Sequence, residues 1–142
     1  MVAIPESAHA LMNSTALGHV VTLNPDGSPQ VSCVWVTLDD GDIVFASLHP
    51  WQKIKNLRRD PRVAVTVESD LTAATGLREY LTVKGEAGIS EGGGLKLVRS
   101  LARTYMGPEA VYPPQDDAPD GYVVRIKAAT IGGVGPWATK PA

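Results

Sequence analysis

The residues best suited to chemistry lie between Lys53 and Arg62. Here Lys53, Lys55, Arg58, Arg59 and Arg62 put five of the thirteen basic residues into ten positions, with Asp60 as the one opposing charge. In a chain of formal net charge -2, such a cluster needs a local reason. Pro50 and Pro61 bracket the segment, and Trp51, Ile54 and Leu57 recur at helical spacing, so it reads as a helix of about ten residues. Arg58 and Arg59 fall near its C-terminal end, where cations complement the helix dipole. Lys53 falls near the N-terminal end, where positive charge is unfavourable unless an anion joins it. Lys53 and Asn56 are three apart and share one side of the helix. A first turn with free backbone N–H groups, a lysine and an asparagine can bind phosphate; a solvated surface helix is the other reading of the same residues.

Elsewhere the residue types argue against most self-contained chemistries. Gly92-Gly93-Gly94 runs into Leu95-Lys96-Leu97, with neither the Lys-Ser/Thr of a P-loop nor the spacing of a dinucleotide fingerprint, and reads as a flexible lead into a helix. His9, His19 and His49 are scattered and Cys33 is the single cysteine, so no metal-ligand spacing is present. There is no G-x-S-x-G, Cys33 has no histidine near it in sequence, and Asp39 and Asp40 sit in a turn that favours Asp for backbone reasons. No catalytic side chain is assigned and no metal is expected. Chemistry would therefore have to come from a bound cofactor.

The elements that must position Lys53 are mostly strands. Apolar residues at 4, 8, 11 and 12 behind Pro5 predict a short N-terminal helix. Gly18 to Leu23, the turn Asn24-Pro25-Asp26-Gly27, a return arm from Gln30 to Leu38, the turn Asp39 to Asp42 and the run Ile43 to Ser47 predict a three-stranded meander. After the basic helix come strands over Arg62 to Glu68 and Glu79 to Ala87, with a polar loop at 69 to 78 between them. Gly85 marks a bulge or bend of the kind that curls a sheet. A second helix follows Gly92-Gly93-Gly94 and ends at Met106-Gly107-Pro108, and Pro113 to Asp120 is a polar loop. Gly121 to Ile131 is the last strand, and Gly132 to Gly135 a closing turn. The expected class is mainly β with peripheral helices, a small closed or split antiparallel barrel formed by 1–142 as a single domain.

Bulk properties agree. Hydrophobic residues at 44% and charged residues at 20% are those of an ordinary folded soluble domain. The slight negative charge offers no field for nucleic acid or an anionic membrane, and no apolar run exceeds four or five residues. One cysteine and no signal-like N-terminus point to the cytoplasm.

The stretches T-L-N-P-D-G-S-P-Q-V-S-C-V-W-V (22–36), D-I-V-F-A-S (42–47) and K-I-K-N-L-R-R-D-P-R-V-A (53–64) resemble the pyridoxamine-phosphate-oxidase-like split-barrel flavoproteins. They are most similar to the actinobacterial class that uses the deazaflavin coenzyme F420. The resemblance runs from the first helix to Gly135-Pro136-Trp137. It implies a six-stranded antiparallel split β-barrel, the FMN-binding split-barrel fold, and a homodimer with cofactor sites at the subunit interface. Carried over by position, Lys53 grips the cofactor phosphate, Trp51, Gln52, Lys55 and Asn56 surround it, and Ser47 ends the strand feeding the loop. Ser32 and Val34 lie on the strand beneath the ring. Where FMN oxidases of the family carry basic ligands on strand two, this chain has Val31 and Val36, which favours F420 over FMN.

The implied reaction is hydride transfer from reduced F420 to a small unsaturated organic or quinone-like acceptor. Tyr80, Tyr105 or solvent would supply the proton, and both tyrosines also have a structural reading. The alternatives are an FMN- or haem-binding barrel and a non-catalytic carrier of F420 or a tetrapyrrole. Trp35 and Trp137 are candidates for the dimer contact.

Overall fold

The computed structural model describes residues 1–138. A 3-10 turn, Glu6–Ala8, buries Ala8 and leads into α1 (His9–Met12), which buries Met12. Then come β1 (Gly18–Leu23), β2 (Pro29–Val34), β3 (Thr37–Asp39), β4 (Asp42–Ser47), α2 (Gln52–Arg59), β5 (Arg62–Thr72), β6 (Arg78–Glu91), α3 (Gly94–Tyr105) and β7 (Tyr122–Val134). The strands form one antiparallel sheet in the order β2-β1-β5-β6-β7-β4-β3.

That order dictates the shape. The two edge strands, β2 and β3, are consecutive in the chain and separated only by Trp35 and Val36. In a flat sheet of seven strands the edges would lie about 29 Å apart, yet the link can span only about 11 Å. The sheet must coil until its edges nearly meet, leaving a seam with no ladder between β2 and β3: a split barrel. The interior is filled by alternate residues, among them Val20, Val63, Val65, Val67, Leu81, Val83, Val124 and Ile126. β4 is buried through Ile43, Val44 and Phe45 because α3 covers its outer side. α2 lies against β1 and β6 and sends Ile54 and Leu57 into the core.

Several sequence expectations need correction. The barrel has seven strands rather than six, because the return arm Gln30 to Leu38 breaks at Trp35-Val36 to turn the seam. Val36 is thus not a residue of strand two but a buried one in the link. The loop at 69 to 78 shrinks to residues 73–77, since β5 and β6 stay paired past an irregularity between Glu68 and Thr72. Gly132 and Gly133 are not a turn but rungs of β7 opposite Thr82 and Leu81. Trp137 is no surface contact: it is buried, and its Nε1 donates to the Tyr80 carbonyl at 2.9 Å.

The bulge at Gly85 is where sequence predicted it. The β6–β7 register shifts between Lys84 and Gly85, and a Cβ there would sit 1.9 Å from the Lys127 carbonyl oxygen. Gly85→Ala is therefore expected to destabilise the fold by about 2–3 kcal/mol through backbone displacement, read as a lower urea midpoint at unchanged m-value.

Candidate functional site

α2 is where the helical reading of the basic segment is tested. Its N-cap, Trp51, directs its carbonyl to the N–H groups of Ile54 (2.9 Å) and Lys55 (3.2 Å), and its own N–H goes to the His49 carbonyl (2.8 Å). Among the described residues this leaves the N–H groups of Gln52 and Lys53 without an acceptor at the open first turn. The Lys53 amine is half-buried, with no carboxylate at ion-pair distance and no hydrogen-bond acceptor among the described residues; burial pushes it below its ordinary value of 10.5. A desolvated cation beside two free N–H groups is an arrangement that an anion would complete.

Lys53 opens onto a cavity of about 1080 Å³. One wall is the end of β4 and the segment into α2, with Ser47, His49, Trp51 and Lys53. A second is the seam, with Cys33, Val34 and Trp35, and a third is α3, with Val98, Leu101 and Met106 just past its end. The fourth is the loop after α3, from Tyr112 to Pro119. Trp35 stacks on Tyr105 at 5.4 Å between centroids and meets the edge of Tyr112 at 5.6 Å, so the wall facing the cavity is broad and aromatic. A cation at one end and flat apolar walls suit a ring compound with an anionic tail.

Of the residues singled out by sequence, Val34, Ser47, Trp51 and Lys53 meet at this cavity, whereas Ser32, Gln52, Lys55 and Asn56 do not line it. Asn56 is fully buried and its amide is already used. Nδ2 donates to Thr22 Oγ1 (3.0 Å) and Asn24 Oδ1 (2.9 Å), and Oδ1 accepts from Gln52 Nε2 (2.9 Å). The i, i+3 spacing was correct, but the helix turns Asn56 toward the β1–β2 hairpin and only Lys53 toward the cavity. Lys55 is exposed on the opposite face. Ser47 Oγ donates to the His49 carbonyl (2.6 Å) and shapes the turn into α2. Ser32 Oγ is buried without a partner on β2.

Tyr105, a proposed proton donor, is occupied. Its hydroxyl accepts from the Val36 N–H (3.1 Å) and donates to the Ala16 carbonyl (2.6 Å), with the Val36 carbonyl a second acceptor at 3.0 Å. Burial raises its pKa. Tyr80 lies on β6, away from the cavity. Sequence missed His49, Cys33 and the Tyr112–Pro119 wall. The Tyr112-Pro113 pair heading a polar loop was the available signal, and it looked like an ordinary connection.

The model of pyridoxamine 5'-phosphate oxidase matches residues 4–135. The chain belongs to that family. Its members include oxidoreductases, and the split barrel is their common frame. Among solved structures, one called an F420 reductase is 25% identical, superposes with a TM-score of 0.73, and covers 91% of this chain and 98% of its own. A conserved hypothetical protein from Mycobacterium tuberculosis is 26% identical at TM-score 0.69, covering 92% of this chain and 85% of its own. General Stress Protein 26 from Bacillus anthracis shares the fold at TM-score 0.64 and 22% identity, covering 91% and 92%. No helix among the described residues is long and apolar enough to cross a membrane, and no cluster of metal-ligating side chains occurs among them.

The separation of Asn56 from the cavity has a direct test. Asn56→Ala removes the hydrogen bonds to Thr22, Asn24 and Gln52 and should cost about 2–4 kcal/mol of stability in urea titrations, while the folded variant binds an anionic ligand as before.

Proposed function

We propose that the chain is an oxidoreductase that binds coenzyme F420 in the cavity beside Lys53 and serves reduction of a small unsaturated or quinone-like acceptor. The observation that carries this reading is the half-buried, unpaired Lys53 amine at the free first turn of α2. It is supported by the likeness to a structure called an F420 reductase.

The residues fit such a group. Lys53 and the Gln52 and Lys53 N–H groups would take its phosphate, and the space between Val34, Trp35 and the α3 side chains would take its ring. A reduced deazaflavin, when bound, supplies a hydride and reacts poorly with oxygen. The chain's own part is to hold the tail, orient the ring against an apolar wall and keep water from it. With Tyr105 locked in the seam and Tyr80 away from the cavity, neither tyrosine is placed to give the proton that would complete the reduction. FMN is the second reading; β2 (Pro29–Val34) carries no basic residue to grip its phosphate, which supports F420. We further read residues 1–142 as one cofactor-binding domain of a cytoplasmic homodimer. Val31 (60% exposed), Val21 and Ala64 lie in one row across the outer faces of β2, β1 and β5, an apolar strip suited to a second copy.

Titrating the protein with F420 and with FMN should show the tighter binding for F420, and the reduced coenzyme should be consumed when a quinone or activated enone is added. Tight FMN binding with negligible F420 binding would overturn the assignment. Lys53→Ala should weaken F420 binding by about 1.5–3 kcal/mol and Arg58→Ala by much less. Since binding needs the charged amine, affinity should fall as pH rises through the lowered Lys53 value, below 10.5. In Lys53→Arg that loss should disappear from the accessible range. Light scattering at micromolar concentration should give twice the mass of the chain; a stable monomer would refute the dimer.

A further inference from the structure

The wall of the cavity formed by residues 113–119 is attached differently from the other three. Its ends are fixed. At the first, Pro113 is buried and Tyr112 sets its ring edge on Trp35. At the second, Leu95 N–H donates to the Asp120 carbonyl (2.9 Å) and Gly92 N–H to the Gly121 carbonyl (2.7 Å). Gly121 packs so closely on β4 that a Cβ would stand 2.5 Å from the Ser47 carbonyl oxygen, at a φ of +65° that suits glycine.

Between those ends the segment is held by a single hydrogen bond to the rest of the described residues, from Arg99 Nη2 on α3 to the Gln115 carbonyl at 3.1 Å. No strand or helix supports it, and Gln115, Asp116 and Asp117 are exposed, although Gln115, Asp117, Ala118 and Pro119 line the cavity. The guanidinium is only partly engaged. Arg99 Nε is buried without an acceptor, so the contact lacks the paired geometry that makes arginine contacts strong, and an unsatisfied buried donor lowers the cost of leaving this arrangement.

We propose that residues 113–119 are a hinged wall of the cavity, latched shut by the hydrogen bond from Arg99 to the Gln115 carbonyl, whose release opens the way in. Arg99 is then a positioning residue: it acts through Gln115 and need not touch the ligand. The latch works in the same way whichever cofactor the cavity takes, so it does not rest on the F420 reading. Trp35 and the α3 side chains stay in place when the wall swings, because Tyr105 ties them to the seam. A ligand would enter past the loop without any opening of the barrel.

The test is cleavage of the folded protein by a protease that cuts before aspartate, with the cuts before Asp116 and Asp117 compared with those before Asp26 and Asp39 in the tight hairpins. Native cleavage reads the population of the open form. The expectation is that Arg99→Ala speeds cutting before Asp116 and Asp117 about tenfold, the loss of one hydrogen bond to a charged donor, with the hairpin sites unchanged. Arg99→Lys, which keeps a donor, should restore most of the protection. The dissociation rate of F420 or FMN, whichever binds, should rise in Arg99→Ala by a similar factor. Unchanged cutting in the loop, or equal acceleration at all sites, would overturn the latch. Should Arg99→Ala not fold, the wild-type protein decides: its first cut must fall before Asp116 or Asp117, and a first cut in either hairpin refutes a wall that opens.

Discussion

The structure depends on a seam that backbone hydrogen bonds do not close. Because β2 and β3 are joined by Trp35-Val36 and yet lie at opposite edges of the sheet, the barrel has one line along which no ladder runs. Buried main-chain groups left there would each cost about 1–3 kcal/mol. Tyr105 answers for the Val36 N–H and the Ala16 carbonyl with one hydroxyl. That side chain comes from α3, so sealing the seam also fixes the helix that walls the cavity and stacks Trp35 into its aromatic face. The part of Tyr105 is structural: its hydroxyl accepts from the Val36 N–H and spends its proton on a backbone carbonyl.

A second division of labour occurs within α2. Asn56 and Lys53 sit one turn apart, and the helix gives one to the interior and the other to the cavity. A buried amide with four partners stabilises, and it ties the helix to the β1–β2 hairpin so that the first turn is held in place. A half-buried amine with no partner is a local cost, which burial expresses as a lowered pKa. The charge is left open to the cavity that Lys53 lines.

In the rest of the basic cluster, Lys55 is exposed to solvent and the three arginines are engaged elsewhere. Arg58 meets Glu91 at 3.1 Å and lies over the Tyr122 ring. Arg62 forks onto Asp60, whose carboxyl is drawn down to about 2 by that contact. Arg59 reaches the Leu23 carbonyl and Asn56. Exposed ion pairs of this kind contribute little to stability, and of the five cations in the cluster Lys53 alone lines the cavity.

Local pattern alone located the strands with alternating apolar residues, the two main helices between their prolines and glycines, the bulge at Gly85 and the cation at the N-terminal end of α2. Each of these is a local property: a period, a breaker, or a charge at the wrong end of a dipole. Strand order implied a closed or split barrel, and the family resemblance selected the split one. What only the tertiary structure decided was the break at Trp35-Val36, the inward turn of Asn56, the burial of Trp137 and the joining of β4, the seam, α3 and the 113–119 loop around one cavity. These depend on which surfaces the coiled sheet brings together. A sequence pattern shows which face of an element is apolar, but it does not show what that face will meet, and Asn56 and Lys53, one turn apart, meet a hairpin and a cavity.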